Sequence, residues 1–545
     1  MSKEEKTKSK GLNPALEAEK SINTSSPRGW SRREFVATSM KASAAALLAA
    51  GCPATGAKTP RPNDGPGPDV SSSWPPDAFG VSRKTARKVF ARAMKGGASF
   101  CDLFFERCRS TSLGLQDSAV KSGHTSVDRG VGIRVVKEGE TGFAFTESLD
   151  EGSMLKAAEL ASAIASGNPE APPAAFVTKE TKHYYPVHGV LNDVNPSAKV
   201  SLLMRLDKKI RAADGRIKKV MIHYRDQESH RVVVRSDGLI YQDRQPLVEC
   251  YVMCVAEQKG RRETNGYSVA GRAGLELYDD ATVDQMVKKA VSRTVLLFDA
   301  VPGPVGEMPV VLAPGSSGIL LHEAIGHGME ADFAKRKTTI YTDKIGTKVS
   351  APFVSIVDDG TNLGLQGTIN FDDEGSPSQK TTLVEKGVFK SFLHNRITAA
   401  HFNMESTGNG RRQSFRHLPV PRMRNTYMLP GPHDPKEVIA SVKKGIYAES
   451  FTNGQVNIGP GDFSFYLKNG RLIEDGKLGR PIKDINLIGN GPKALALVEM
   501  VGDDLEMFRG GGRCGKRGQR VPVGMGLPTV KVKSLTVGGA KNAKK

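Results

Sequence analysis

The stretch His322-Glu323-Ala324-Ile325-Gly326-His327 places two imidazoles five residues apart, with a carboxylate directly after the first. Imidazoles are common ligands of catalytic metals, and a neighbouring carboxylate can act as a general base. In a regular α-helix a gap of five residues turns the two rings apart by about 140°, because each residue advances ~100°. A π-bulge adds one residue to a turn and would return both rings to one face, and Gly326 can relax the backbone there. We therefore expect a wide turn or a helix break at this motif.

A catalytic zinc site usually has three protein ligands, so the motif requires a third donor from elsewhere in the chain. Cys514, in the run Arg509-Gly510-Gly511-Gly512-Arg513-Cys514-Gly515-Lys516, is the candidate. The surrounding glycines indicate a loop with unusual backbone freedom, and Arg513, Lys516 and Arg517 would favour the thiolate electrostatically. The alternative is a flexible loop with an idle thiol, and the residues alone favour neither interpretation.

The run HEAIGHGMEAD, residues 322–332, resembles the signature of the TldD/PmbA family of metallopeptidases, in particular its metal-binding, TldD-like branch. Residues 510–539, GGGRCGKRGQRVPVGMGLPTVKVKSLTVGG, are similar to the closing segment of that family, including its metal-binding cysteine. The resemblance extends over roughly residues 80–540 and is densest after Val305. Shorter similar stretches are FDDEG at 371–375, STGNGR at 406–411, PRM at 421–423 and LIGNGP at 487–492.

The resemblance implies that His322, His327 and Cys514 bind the metal and that Glu323 is the general base. The expected cofactor is one Zn²⁺ per subunit, with another divalent metal as the alternative. Zinc would lower the pKa of a bound water. Glu323 would take its proton, hydroxide would attack the scissile carbonyl, and Glu323 would then protonate the leaving amine.

The family also implies short or unstructured peptides as substrates, reached through an enclosed site, and a homodimer or a pair with a sister subunit. A peptide could bind there by adding a strand to a sheet edge. Glu330 and Asp332 follow the motif and are candidates for supporting groups around the metal. They are also the first places to look for a carboxylate ligand if Cys514 does not bind the metal.

An export signal is predicted at the start of the chain. The stretch SRREFV, residues 31–36, is a twin-arginine pattern built on Arg32 and Arg33, and a weakly apolar run follows from Ala42 to Ala50. Nine residues are too few to cross a bilayer, which needs about twenty, so the segment fits a cleavable signal. The run LAAGC, residues 48–52, resembles a lipoprotein processing site, which predicts lipidation of Cys52. The expected location is the bacterial cell envelope, periplasmic or membrane-anchored, and the cytoplasm if this leader does not function.

The chain is strongly basic, with a formal net charge of +20. Removal of residues 1–51 would take away nine Lys/Arg and five Asp/Glu and leave +16. Such a field attracts anionic lipid or acidic peptide, but no zinc-finger spacing, RNP-like aromatic run or single basic helix indicates a nucleic-acid partner. A binding lipoprotein without catalytic activity, or a nucleic-acid-associated module, is the alternative to an enzyme.

The order of predicted elements is typical of an α+β fold with two domains. Residues 1–51 form the export signal and residues 52–76, rich in Pro, Gly, Ser and Asp, a disordered tether. Residues 77–302 form a mixed N-terminal domain, with helices near 82–95, 153–165 and 197–213 and strands near 101–108, 130–145 and 220–256. Residues 303–545 form a β-rich C-terminal domain that carries the metal-site helix, because about 490 residues exceed one hydrophobic core.

The spacing of the remaining cysteines bears on whether they form disulfides. On one strand Cys250 and Cys254 would lie about 13 Å apart, beyond disulfide reach, and Cys101 and Cys108 would lie farther apart still. Pairing across the two strands stays open, but buried free thiols are the prediction. His394, His401, His417 and His433 are expected to be structural or surface residues, since none has a ligand-like partner close in sequence.

Overall fold

The computed structural model describes residues 74–164, 175–185, 191 and 194–539. The predicted Arg32-Arg33 pair, Cys52 and nearly all of the predicted tether lie outside the described residues. Trp74 is buried, and its indole Nε1 donates a hydrogen bond to the Val81 carbonyl at 2.6 Å. The packed chain thus includes Trp74, three residues before the predicted boundary at residue 77. Within the described ranges, no helix combines the length and apolar character needed to cross a membrane.

The longer helices begin at polar residues whose side chains accept a hydrogen bond from a backbone N–H of the first turn, namely Ser82, Asp150, Asn195 and Asp279. Such caps satisfy donors that the helix itself leaves free. The three N-terminal helices predicted from the sequence are present with small shifts of their ends. The helices are α1 (Arg83–Ala93), α2 (Glu151–Ser162), α3 (Pro196–Ala213), α4 (Asp280–Val295), α5 (Gly318–Leu321), α6 (Ala331–Lys335), α7 (Arg396–His401), α8 (Pro435–Ala440) and α9 (Gly491–Ala496).

The N-terminal half is built on one seven-stranded sheet. Its strand order is β3-β2-β1-β5-β6-β4, and β7 pairs with the other end of β6. All of its pairings are antiparallel except the short one between β4 and β6. The strands are β1 (Phe100–Gln116), β2 (Ala119–Lys137), β3 (Glu140–Thr146), β4 (Val177–Thr178), β5 (Ile217–Arg235), β6 (Leu239–Gln258) and β7 (Arg261–Gly271).

β1 and β2 are much longer than the apolar segments that predicted them. The added residues of β2 are mostly polar and exposed, and those of β1 are mostly half-buried, so apolar alternation does not reveal them. Hydroxyl pairs join the two strands instead, Ser110 with Ser126 at 3.0 Å and Thr111 with Thr125 at 3.3 Å. Such cross-strand pairs stabilise a strand pairing that buries few apolar side chains.

Two of the hydrophobic clusters pack helices against this sheet. One combines α1 and α2 with the start of β1 and the end of β2, through residues such as Phe90, Leu103 and Ile133. The other combines α3 and α4 with β5, β6 and β7, through residues such as Leu206 and Val252. The helices therefore cover two separate parts of the long strands.

The C-terminal half holds most of the shorter strands. These are β8 (Val301–Pro302), β9 (Gly306–Leu312), β10 (Ile356–Asp359), β11 (Lys380–Glu385), β12 (Val388–Phe389), β13 (Gly410–Arg411), β14 (Val420–Pro421), β15 (Asn425–Met428), β16 (Lys444–Asn457), β17 (Asp462–Glu474), β18 (Lys477–Lys483), β19 (Ile485–Asn490), β20 (Val498–Val501), β21 (Glu506–Met507), β22 (Arg513–Lys516), β23 (Gln519–Pro522), β24 (Gly524–Leu527) and β25 (Val530–Gly539).

An eight-stranded sheet in this half has the order β16-β9-β25-β19-β17-β18-β8, with β20 also paired to β25. β16 pairs with β17 as well, which closes five of these strands into a ring. A six-stranded sheet, β12-β11-β10-β15-β24-β21, lies beside two hairpins, β13–β14 and β22–β23. Their shared core includes Leu320, Leu321, Ala324 and Ile325, so the metal-motif segment is anchored in the largest apolar cluster.

Buried ion pairs join the two halves. Arg134 on β2 is fully buried between Asp102 on β1 and Glu374, which lies in the loop before β11. Arg231 on β5 contacts Asp373 at 2.9 Å. A buried charge requires a partner in low dielectric, so these contacts fix the sheet against the C-terminal half.

The α+β class predicted from the sequence is confirmed. Cys101, Cys108, Cys250 and Cys254 are free thiols, as predicted, and all but the half-buried Cys108 are buried. Burial raises the pKa of all four, to about 12 for Cys108 and Cys254. They are therefore protonated and unreactive at neutral pH.

Candidate metal centre

The wide turn predicted at the motif is present. α5 runs directly into a π-helical turn, His322–Gly326, which is followed by a 3-10 turn, His327–Met329. A π-turn contains one more residue than an α-turn, and this brings the two imidazoles to the same face. The centroids of the His322 and His327 rings lie 5.0 Å apart, with the ring planes at 80°.

Gly326 serves a different purpose from the one expected. Its backbone is ordinary helix, with φ −59° and ψ −47°, so it does not relax the turn. A Cβ at this position would lie 2.1 Å from the Sδ atom of Met423. The glycine is therefore required because Met423 packs directly against the turn.

Cys514 lies on β22, in a hairpin with β23, and not in the loop that its glycines predicted. The hairpin turns at Arg517 and Gly518, which both have positive φ. This turn places Cys514 inside the protein, with its Sγ atom 3.2 Å from Nε2 of His327. The structure thus brings a distant cysteine to the motif.

The donor atoms of His322, His327 and Cys514 all lie within 4.8 Å of one another, and all three residues are buried. No other such group of His, Cys, Asp or Glu donors occurs in the described part of the chain. Both ring nitrogens of His322 lack a hydrogen-bond partner there, although buried polar atoms are normally paired. Two imidazoles and a thiolate suit zinc, so the residues present fit a metal ion.

The electrostatics of the group also suit a cation. Burial alone would raise the pKa of Cys514, but the imidazoles of His327 and His322 lower it well below its ordinary value. Burial opposes the charged form of His327, yet Cys514 and Glu330 raise its pKa well above its ordinary value. The two histidines are therefore the main groups that stabilise the thiolate, ahead of the neighbouring basic residues.

Those basic residues have other partners. Lys516 donates hydrogen bonds to Glu330 at 3.0 Å and Asp332 at 2.6 Å, and Arg513 pairs with Glu249 at 3.2 Å. Arg517 lies 3.4 Å from Asp332.

Glu323 is the accessible member of the motif. Its Oε2 atom lies 3.9 Å from Nε2 of His327, and its side chain is 23% exposed, against 5% for His327. The carboxylate thus reaches both the donor group and solvent. This position allows it to accept a proton from a molecule held at the donor group.

Three segments of the chain match known domains. Residues 101–165, 190–298 and 305–539 match domain 1, the central domain and the C-terminal domain of the PmbA/TldA metallopeptidases. These segments cover more than half of the chain. The chain belongs to the TldD/PmbA family of metallopeptidases.

Relatives of this TldD/PmbA chain are similar over nearly their full length. The metalloprotease TldD homolog of Haemophilus influenzae is 38% identical, over 84% of this chain and 97% of its own. The zinc metalloprotease TldD homolog of Saccharolobus solfataricus is 28% identical, over 83% and 99%. A proposed modulator of a DNA gyrase from Thermotoga maritima has the same fold, with a TM-score of 0.69 at 23% identity, over 83% and 99%.

A network of buried hydrogen bonds supports the donor group of this TldD/PmbA chain, which consists of His322, His327 and Cys514. Nδ1 of His327 lies 2.9 Å from Glu330, and Lys516 holds the other side of that carboxylate. Burial opposes ionisation of Glu330, but Lys516 and His327 lower its pKa to about 2. Asp332 contacts Lys516 but is not hydrogen-bonded to His327. Glu330 and Asp332 thus lie behind the donor group and not within it.

Sequence reasoning missed the roles of two residues of this network. Arg422, fully buried, donates a hydrogen bond from Nη2 to the Cys514 carbonyl, and Lys516 joins β22 to α6 through Asp332. Both act across long sequence separations, so no local spacing reveals them. His394 is buried, and burial lowers its pKa to about 4. Among the histidines that the structure describes, only His322 and His327 belong to the donor group.

Proposed function

We propose that this member of the TldD/PmbA family is a zinc peptidase that hydrolyses short or unstructured peptides. The observation that carries the proposal is the position of the Glu323 carboxylate, 3.9 Å from His327 Nε2 and beside three buried metal donors. A general base must lie within reach of the proton it accepts, directly or through one water. Membership of a metallopeptidase family supports the same chemistry.

His322, His327 and Cys514 would hold the metal. Zinc supplies Lewis acidity, which lowers the pKa of a bound water and polarises a carbonyl group. Glu323 accepts a proton at its exposed carboxylate and can return it to the leaving amine. Glu330 fixes the orientation of the His327 ring from behind. The choice of zinc is supported by the Cys/His/His donors and by the zinc-metalloprotease name of the Saccharolobus solfataricus relative.

Burial of the donor group supports the proposed substrate class. His322 and His327 are 2% and 4% exposed. A folded protein surface cannot present its backbone to such atoms, whereas an extended chain can. The proposed substrates are therefore peptides without stable structure.

The experiment that tests this proposal combines metal analysis with cleavage. The purified full chain is stripped with a chelator, reloaded with zinc, and offered fluorogenic peptides together with one folded protein and its unfolded form. We expect cleavage of the peptides and the unfolded protein by the reloaded chain alone. A fully metal-loaded chain that cleaves none of these substrates would contradict the proposal.

We further propose export and assembly from the sequence pattern and the family resemblance. The twin-arginine pattern and Cys52 support an envelope lipoprotein. The family resemblance supports a homodimer or a pair with a sister subunit. Light scattering on the purified chain, alone and mixed with such a subunit, tests the assembly.

A further inference from the structure

A strongly basic cavity lies between the long sheet and the C-terminal half. Its volume is about 430 Å³, within the ~300–1,000 Å³ typical of ligand sites. Eight arginines line it, against two acidic residues, Glu106 and Asp128. The cavity has no part in the metal chemistry described above.

Four of the lining arginines have carboxylate partners. Arg231 contacts Glu106 at 3.0 Å, and Arg412 contacts Asp102 at 3.2 Å. The others are Arg416, paired with Asp128 and Glu147, and Arg513, paired with Glu249. These pairs neutralise about half of the positive charge of the cavity.

The other four, Arg225, Arg272, Arg411 and Arg520, have no carboxylate within ion-pair distance among the described residues. Arg411 is buried, and it donates only to two carbonyls, of Met423 at 2.6 Å and Pro522 at 2.8 Å. Arg272 likewise donates to carbonyls. Arg225 and Arg520 are surface residues that line the cavity, and their guanidinium groups make no hydrogen bond to any described residue.

The positive charge of several lining arginines is poorly compensated by the protein. Burial, reinforced by the neighbouring Arg272 and Arg422, lowers the pKa of Arg411 to about 9. Partial burial of the guanidinium group and the nearby Arg513 lower the pKa of Arg225. In addition, the Nε and Nη1 atoms of Arg412 are buried without a partner in the described structure. Buried donors without acceptors are costly, so an anion in the cavity would satisfy groups that the protein leaves unpaired.

The cavity and the donor group share the β22–β23 hairpin. Arg513 and Arg520 lie on the hairpin that carries Cys514, where Cys514 is paired with Val521. Val521 and Pro522 of the same hairpin line the cavity, and Arg411 donates to the Pro522 carbonyl. Neighbouring residues on a strand have Cα atoms only about 3.8 Å apart. A ligand in the cavity therefore touches the strand pair that positions the thiolate.

We infer that this arginine-lined cavity is a subsite that binds a carboxylate of the peptide substrate, from an acidic side chain or from the C-terminus. The inference rests on the proposed peptidase function. Guanidinium groups match the two oxygens of a carboxylate in a planar fork. The volume exceeds what one carboxylate needs, so the residue that carries it also enters. The enzyme thus prefers acidic peptides to neutral ones of the same length.

Binding of labelled peptides tests this inference. One nine-residue sequence is made with a single Glu or with Gln in its place, and each form with a free or an amidated C-terminus. Fluorescence anisotropy measures their affinity for the full-length, zinc-loaded chain carrying Glu323→Gln, so that the peptides are not consumed. We expect the carboxylate-bearing forms to bind at least about tenfold more tightly, the lower range for hydrogen bonds to a charged group. If replacing Glu by Gln in the peptide removes the tighter binding, the cavity binds the acidic side chain. If amidation of the peptide removes it, the cavity binds the C-terminal carboxylate.

The discriminating variant is Arg225→Gln with Arg520→Gln, because both are surface residues outside the hydrophobic core and neither guanidinium group is hydrogen-bonded to a described residue. It should abolish the preference and leave binding of the neutral, amidated peptide unchanged. Arg262→Gln with Lys218→Gln removes two equal charges elsewhere on the surface and should keep the preference. Equal binding of all peptides, or a preference that survives in the Arg225/Arg520 variant, would overturn the inference. If the unsubstituted chain cleaves nothing but the charge-dependent binding persists, the proposed function fails and the carboxylate subsite stands.

Discussion

Glu330 faces the Nδ1 atom of His327 at 2.9 Å, on the opposite edge of the ring from the Nε2 atom that lies 3.2 Å from Cys514. An ionised carboxylate can only accept, so Nδ1 carries the hydrogen that is shared with Glu330. This leaves the Nε2 lone pair directed at the donor group. A hydrogen bond from the far side of a ligating imidazole typically fixes the ring and its tautomer.

Glu330→Gln should therefore weaken zinc binding by about 10–100-fold, the usual effect of removing such a partner. Competition with a chromophoric chelator measures the affinity. Asp332→Asn is the matched control, since Asp332 contacts Lys516 but is not hydrogen-bonded to His327. Equal losses in the two variants would indicate that the Lys516 network, and not the His327 hydrogen bond, supports the metal.

Glu323→Gln should retain bound zinc but lose at least about 10²-fold in turnover, the lower range for general-base catalysis. The reason is that Glu323 lies near the donors without being one of the buried three. Metal content and peptide cleavage are measured on the same preparation. Glu159→Gln, on an exposed surface, is the control. Normal turnover by metal-replete Glu323→Gln would refute the role of this carboxylate.

Cys514→Ser should reduce metal retention strongly, because a thiolate supplies negative charge that a serine hydroxyl does not. The substitution fits β22 without a change of shape, so the variant should remain soluble and monodisperse. Cys101→Ser, Cys250→Ser and Cys254→Ser, whose thiols lie on the N-terminal sheet, should keep the metal. Elemental analysis of the four folded variants measures how much metal each one retains. Wild-type stoichiometry in Cys514→Ser would exclude the thiolate as a required ligand.

Arg134→Met should destabilise the protein by roughly 3–5 kcal/mol, because it leaves two buried carboxylates, Asp102 and Glu374, without their shared cation. Urea unfolding followed by circular dichroism measures the change. The control is Lys88→Met, which removes a surface pair with Glu151 and should cost about 1 kcal/mol or less. A small effect of Arg134→Met would mean that the halves are joined mainly by apolar contacts.

Arg32→Lys with Arg33→Lys should abolish export, and Cys52→Ala should release exported protein from membranes. Both expectations come from the sequence pattern of the leader. Cell fractionation and labelling with a lipid precursor measure the two effects. Labelling that persists in Cys52→Ala would disprove lipidation at that residue and leave the peptidase proposal untouched.

Local spacing predicted the turn at the metal motif well. The five-residue separation of His322 and His327 is incompatible with a shared helix face unless the turn is widened, and the π-turn is the result. The α+β class also followed from the alternation and helical periodicity of the N-terminal elements. Features that depend on one short segment of the chain can be predicted from the sequence of that segment.

Contacts between residues far apart in the chain could not be predicted from the sequence. The glycines around Cys514 indicated a loop, whereas pairing with β23 makes this segment a strand. Lys516 and Glu330 are 186 residues apart, and no periodicity connects them. The arginine-lined cavity likewise collects residues from β1, β5, β6 and the β22–β23 hairpin. Only the assembled fold shows which charges are left without partners.

The pairing of β9 with β25 has a consequence for the timing of maturation. β9 ends at Leu312, just ahead of the two histidines, and Leu312 is aligned with Val530, beyond the third donor. His327 and Cys514 are separated by 187 residues of chain. A growing polypeptide therefore carries the two imidazoles through 187 further residues of elongation before the thiolate exists, and the strand that closes the sheet arrives later still. The complete set of three donors thus forms only late in biosynthesis, and a prematurely terminated product that lacks the last strands never contains it.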